Sequence, residues 1–227
     1  MKTSFYGRLG RFAQWLLRTF SPRYRCDIEL PEQPVVYVCR HLNMHGPYTT
    51  LKWFPFDVHP MILHVYFDRN KTVEHMTGYT LSTRFGRKPR KFSLLAHIMG
   101  RICPALMASV QGVPVYRNGT QSVATLKCGL KYLLKGESLI VYPDIDYTGN
   151  YDRISEIYDG FLFLGDLYYK KTGMPLAFVP LLIDDKKRQI IEGKPICVSN
   201  FRRDRQTAAS SLKAAINMIS VVPHEAS

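Results

Sequence analysis

A chain of 227 residues is long enough for one well-buried domain and short for two, and 46% apolar against 22% charged residues excludes general disorder. Lysine and arginine number 31 against 18 acidic residues, and this surplus of +13 attracts nucleic acid, anionic lipid headgroups or phosphorylated substrates without choosing among them. Five cysteines without CxxC spacing argue against a disulfide framework and for a reduced, intracellular protein, and no apolar run nears the roughly 20 residues that span a bilayer.

Residues 1–22 read as an amphipathic interfacial helix and 23–227 as a single α/β domain, mostly parallel in its central sheet and flanked by helices. Phe5, Leu9, Phe12, Ala13, Leu16, Leu17 and Phe20 recur at helical spacing, with Arg8, Arg11 and Arg18 between them. Those arginines also break what would have to be the apolar core of a signal peptide. The helix suits an anionic membrane surface, apolar face down, on the cytoplasmic side. Packing on the domain's own core is the alternative.

Val35 to Cys39 is apolar without alternation, the pattern of a short strand buried on both faces of a parallel sheet. A helix is expected from Gly46-Pro47, a second buried strand over 60–67 and a basic loop from Asp68 to Lys91 that includes Arg84, Arg87, Lys88, Arg90 and Lys91. Helical spacing returns over Phe92 to Met99. A strand over 112–117, a helix over about 120–135 ending at Gly136 and a buried strand over 138–143 follow, which implies a right-handed crossover. A helix over 160–171, a strand over 176–183, strand pairing near 189–198 and a terminal helix over about 206–219 complete the layout.

Ligands in such sheets bind beyond the carboxyl ends of strands. Arg40, His41, Asn43 and His45 follow one strand, Arg117 a second, and Asp144 and Asp146 a third, so these chain-distant residues can converge in one cleft. His41 suits a general base and Arg117 an anion, since guanidinium forms paired, charge-assisted bonds. His41 and His45 share metal-ligand spacing, but Gly46-Pro47 argues against one helix through both and no third ligand motif stands out, so no metal is expected. Cys39 reads as a buried structural thiol rather than a nucleophile. Nucleic acid is set aside as a partner, because neither a zinc pattern nor an RNA-binding aromatic motif is present.

From Val35 to Ile183 the chain resembles the glycerolipid and lysophospholipid acyltransferase family in four motifs. His41 after its strand is similar to the first; Gly112-Val113-Pro114-Val115-Tyr116-Arg117 to the second, a glycine-led strand ending in arginine; Tyr142-Pro143-Asp144 to the third; and Thr172 to Pro180 to the fourth. The resemblance implies transfer of a fatty acyl group from a thioester, acyl-CoA or acyl carrier protein, to a lipid acceptor's hydroxyl. It implies neither cofactor nor acyl-enzyme. His41 would be the base, assisted by His45; Arg117, Gly112, Tyr116, Arg40 and Asn43 would bind substrate. Two departures stand out. Gly46 occupies the position of the acid that would orient the imidazole, and the third motif carries Asp144-Ile145 for glutamate and glycine. Asp144, Asp146 or Asp159 would then have to supply the orienting carboxylate. A catalytically inactive relative that binds lipid or acyl carrier is the non-enzymatic alternative.

Overall fold

The computed structural model describes residues 4–84, 93–117, 119–145 and 156–217. Its strands are β1 (Arg25–Cys26), β2 (Val35–Cys39), β3 (His59–Leu63), β4 (Val113–Val115), β5 (Leu139–Val141), β6 (Leu176–Asp184), β7 (Gln189–Glu192) and β8 (Ile196–Val198). The helices are α1 (Arg8–Thr19), α2 (His45–Trp53), α3 (Arg69–His75), α4 (Ser93–Ser109), α5 (Ser122–Leu133), α6 (Phe163–Thr172) and α7 (Phe201–Asn217). One eight-stranded sheet runs β1-β7-β6-β2-β5-β3-β4, with β8 also on β6. From β6 across to β4 every pairing is parallel, whereas β7 and β8 join β6 antiparallel.

β2 lies between β5 and β6, which explains why all five of its residues are buried. Side chains alternate across a strand. Val36 and Val38 therefore enter a core shared with Leu162, Leu164 and Leu212, from the segment entering α6, from α6 itself and from α7. Val35, Tyr37 and Cys39 enter a second core with Phe54 and Phe56, just beyond α2. This sandwich fixes the carboxyl ends of β2 and β5 side by side.

The expected strand over 60–67 stops at Leu63; residues 64–67 turn in a 3₁₀ helix, and Asp68 then caps α3 by accepting the Lys71 N–H at 2.9 Å. A π-helical stretch, Met76–Arg84, continues α3 where a loop was expected. Arg87, Lys88, Arg90 and Lys91 lie outside the described residues. α4 runs well past Met99 and through Pro104. α7 begins before residue 206, because Asp204 accepts the N–H groups of Ser199 and Asn200 and thereby closes its first turn.

The N-terminal segment departs most from expectation. Residues 4–7 lie outside any helix. Buried Asp57 accepts the N–H groups of Phe5 and Tyr6 at 2.6 and 2.8 Å and pairs with Arg11. Phe5 stacks on His59 at 4.0 Å between ring centroids, so it belongs to the interior and not to a surface stripe.

Candidate active site

After β2 the backbone makes an unusual turn: Leu42, Asn43 and Met44 all adopt left-handed conformations, with φ of 42°, 51° and 76°. Such residues cost on the order of 1–3 kcal/mol each outside glycine, least for asparagine, and such strain clusters at functional sites. The turn closes where the Gly46 N–H donates to the His41 carbonyl at 3.1 Å. A Cβ at position 46 would lie 1.7 Å from the Arg40 carbonyl oxygen. No side chain fits there, so the absent acid is a requirement of this backbone.

Asp144, at the end of neighbouring β5, is 3% exposed. Its Oδ2 accepts the backbone N–H of His41 at 2.9 Å. That oxygen therefore serves the main chain of the turn, whereas the expectation from sequence was an orienting bond to the ring. Burial pushes its pKa up, while the His41 N–H and the Arg40 guanidinium pull it down. Asp146 lies outside the described residues, and Asp159 pairs with Arg205 at 2.6 Å. The His41 ring has another neighbour: the Met44 N–H donates to Nδ1 at 3.2 Å, so the neutral imidazole carries its proton on Nε2. Tyr142 stands edge-on to that ring with centroids 6.2 Å apart. The Tyr142 hydroxyl meets the Thr50 hydroxyl at 2.7 Å, and Thr50 reaches the Gly46 carbonyl at 2.8 Å, which braces the turn from behind.

A cavity of about 950 Å³ opens beside His41. Asn43, Tyr116, Arg117, His75 and Tyr158 line it together with His41 and form a polar region. Apolar walls come from α1, α2 and α4, among them Ala13, Leu17, Leu51, Met99, Cys103 and Leu106. The Arg117 guanidinium lies 4.6 Å from the Tyr158 ring centroid. Together with burial, the larger influence, Arg117 lowers the pKa of His75, which places the two within electrostatic reach. His75 comes from a stretch that reads as loop in the sequence, and only its position under an unassigned polar run could have drawn attention to it.

The other expected site residues serve elsewhere. His45, expected to assist His41, is held elsewhere: its Nε2 meets Asp185 at 2.8 Å, Tyr24 donates to the same carboxylate oxygen, and none of the three lines the cavity. Those bonds hold the Asp185 pKa down and contribute, after burial, to raising that of Tyr24 to about 12. Gly112 precedes β4, where a Cβ would crowd Phe67 at 3.1 Å, so its smallness serves packing. Arg40 is buried beside Asp144 and does not line the cavity. Among the described residues no cluster of three or more His, Cys, Asp and Glu side chains is arranged to hold a metal ion.

The mostly parallel sheet and its covering helices form an α/β fold like that of a solved acyltransferase. The chain is similar in structure to the crystal structure of the 1-acyl-sn-glycerophosphate (LPA) acyltransferase, PlsC, from Thermotoga maritima. The TM-score is 0.52 at 12% sequence identity, over 96% of this chain and 80% of that one. No protein-family model matches the sequence, and no curated protein matches it.

Proposed function

We propose that the protein transfers a fatty acyl group from an acyl thioester, carried by coenzyme A or acyl carrier protein, to a hydroxyl of a glycerolipid-type acceptor at the cytoplasmic face of a membrane. The observation that carries this reading is a histidine at a strand end facing a cavity that is polar around Arg117 and apolar along three helices. An amphipathic substrate fits such a space, its anionic group at Arg117 and its chain among Leu51, Met99 and Leu106. The likeness to a protein described as an LPA acyltransferase supports the same class.

In the reaction, His41 takes the acceptor hydroxyl's proton as its oxygen attacks the thioester carbonyl. The tetrahedral intermediate then expels the thiolate, which recovers the proton from the imidazolium. The Met44 hydrogen bond sets a condition on this step. If Nδ1 is the base, Met44 N–H must leave its lone pair; if Nε2 is the base, Nδ1 must carry the proton and again expel Met44 N–H. Either route requires the 42–44 turn to move, and left-handed strain over all three of its residues lowers the cost of leaving this arrangement.

Docking is assigned to α1. Phe12, Trp15 and Phe20 are 56, 60 and 81% exposed, and Arg8 and Arg18 are also at the surface. No helix among the described residues is long and apolar enough to cross a membrane. The test is release of free thiol from acyl-CoA or acyl carrier protein in the presence and absence of a lysophospholipid. Acceptor-dependent release, lost in His41→Ala, supports transfer. The Met44 bond favours a second reading, a protein that holds lipid or acyl carrier without turnover. Lysolipid binding with no thiol release would establish it.

A further inference from the structure

α4 walls the cavity with one side and leaves another side bare. Its inner side is tightly seated: Ala96, Gly100 and Cys103 are buried, and a Cβ on Gly100 would come within 2.6 Å of Val73. Met99, Cys103 and Leu106 face the cavity. One row around the helix, Leu94, Ile98 and Ile102 follow each other at intervals of four, with Leu95 at their edge. They are 75, 44 and 46% exposed, and Leu95 is 42% exposed.

α1 is built the same way. Gly10, Ala13 and Leu17 line the cavity, while Leu9, Phe12, Leu16 and Phe20 form the neighbouring, exposed row. The two helices meet where the Gly7 N–H bonds to the Ser109 carbonyl and Gly10 to the Ser109 hydroxyl. From that junction they border one cavity, each with a bare apolar row beside its cavity-facing row. Neither contains an aspartate or glutamate, and Arg8, Arg18 and Arg101 are exposed on them. An apolar row flanked only by cations is complementary to an anionic lipid surface, which accepts side chains between its headgroups and attracts the arginines. The same arginines repel a basic protein face.

We infer that Leu94, Leu95, Ile98 and Ile102 form a second membrane-contact ridge, so that the cavity rim settles on an anionic bilayer through α1 and α4 together. This rests on the reading of α1 as the docking helix and extends it to an element that α1 alone does not imply.

The test uses the full chain and vesicles of phosphatidylcholine with phosphatidylglycerol. Leu94→Ser/Ile98→Ser/Ile102→Ser changes exposed positions, and its thermal melt should match wild type. It should bind vesicles at least about tenfold more weakly, the scale expected when several aliphatic side chains lose even partial burial. Transfer to an acceptor embedded in those vesicles should fall with binding, while transfer to a dispersed short-chain acceptor should not. Wild-type binding in this variant, with release in Phe12→Ser/Phe20→Ser, overturns the ridge and leaves α1 standing. Failure of wild type to bind vesicles overturns both, without touching acyl transfer, which the thiol assay reads separately. A lipid-free dimer that the triple variant dissociates while its vesicle binding stays intact would make the ridge a contact between copies and overturn the inference. Should the triple variant unfold, quenching of Ile98→Trp by brominated lipid decides: strong quenching supports the ridge, and no quenching beyond the native tryptophans overturns it.

Discussion

Two histidines stand at opposite ends of the parallel sheet. His59 begins β3, has 0% of its side chain exposed, and lies stacked between Phe5 and Tyr132 at 4.0 and 3.7 Å. Its Nδ1 donates to the Gln111 carbonyl at 2.9 Å, and its Nε2 meets Glu137 at 3.1 Å. His41 follows β2 and lines a cavity, on a turn of left-handed residues next to the buried Asp144 carboxylate. The first corner is satisfied and closed; the second is strained and open. Histidine alone distinguishes neither, but position does, since the carboxyl ends of parallel strands are where such sheets leave room for ligands.

Breaking each corner should have different consequences. The largest effect is expected from restoring the acid that the family resemblance leads one to look for. Gly46→Asp drives a Cβ into the Arg40 carbonyl and should destabilise the protein by about 3–5 kcal/mol in urea unfolding, with no gain in transfer. A stable, more active variant would show that the turn is not as described.

Next comes His41→Ala, which should lower transfer by about 10²–10⁴-fold while leaving the urea midpoint nearly unchanged. His59→Gln should do the reverse, costing about 1–3 kcal/mol of stability and sparing the rate per folded molecule. The closed corner also predicts a pH dependence. Burial, the largest influence, depresses the His59 pKa below its ordinary 6.5, so on acidification through that value the unfolded chain gains a proton that the folded chain resists. Stability should therefore fall as pH drops below about 6.5, and fall less in His59→Gln, by urea titration across that range.

Arg117→Ala sharpens the polar region of the open corner. It should raise the KM for an anionic acceptor by about 10-fold or more and change the donor's KM little, as removal of binding to one substrate does. Equal changes in both would remove Arg117 from the acceptor's end. The smallest effect belongs to His45→Ala. Its partner Asp185 has 61% of its side chain exposed, and a pair so placed is worth less than about 1 kcal/mol, so stability and transfer should both stay close to wild type.

The sheet was legible because its strands carry a signal that needs no tertiary context. An apolar run without alternation at 35–39 can only be buried on both faces, and β2 is. The strand ends bearing His41 and Arg117 followed from that, and the cavity does bring those two side chains together with Asn43 and Tyr116. What sequence could not give was the direction of each polar group. Asp144 is adjacent to His41 as topology implies, yet its carboxylate serves the main chain, because a turn of left-handed residues leaves backbone N–H groups that need an acceptor. His45 points to Asp185, which lies far along the chain. The clamp of Asp57 on residues 5 and 6 was equally invisible, since Phe5 fits the apolar helical row as well as Leu9 does.

Acyl transfer is the reaction proposed for the cavity beside His41. It is tested most directly by incubating wild type and His41→Ala with radiolabelled acyl-CoA or acyl carrier protein and a lysophospholipid bound in vesicles, and resolving the lipids. Wild type should form the diacyl product and His41→Ala should not, although both bind the lysolipid. Equal product from both proteins, or none from a wild type that binds the lysolipid and both donors, would contradict it.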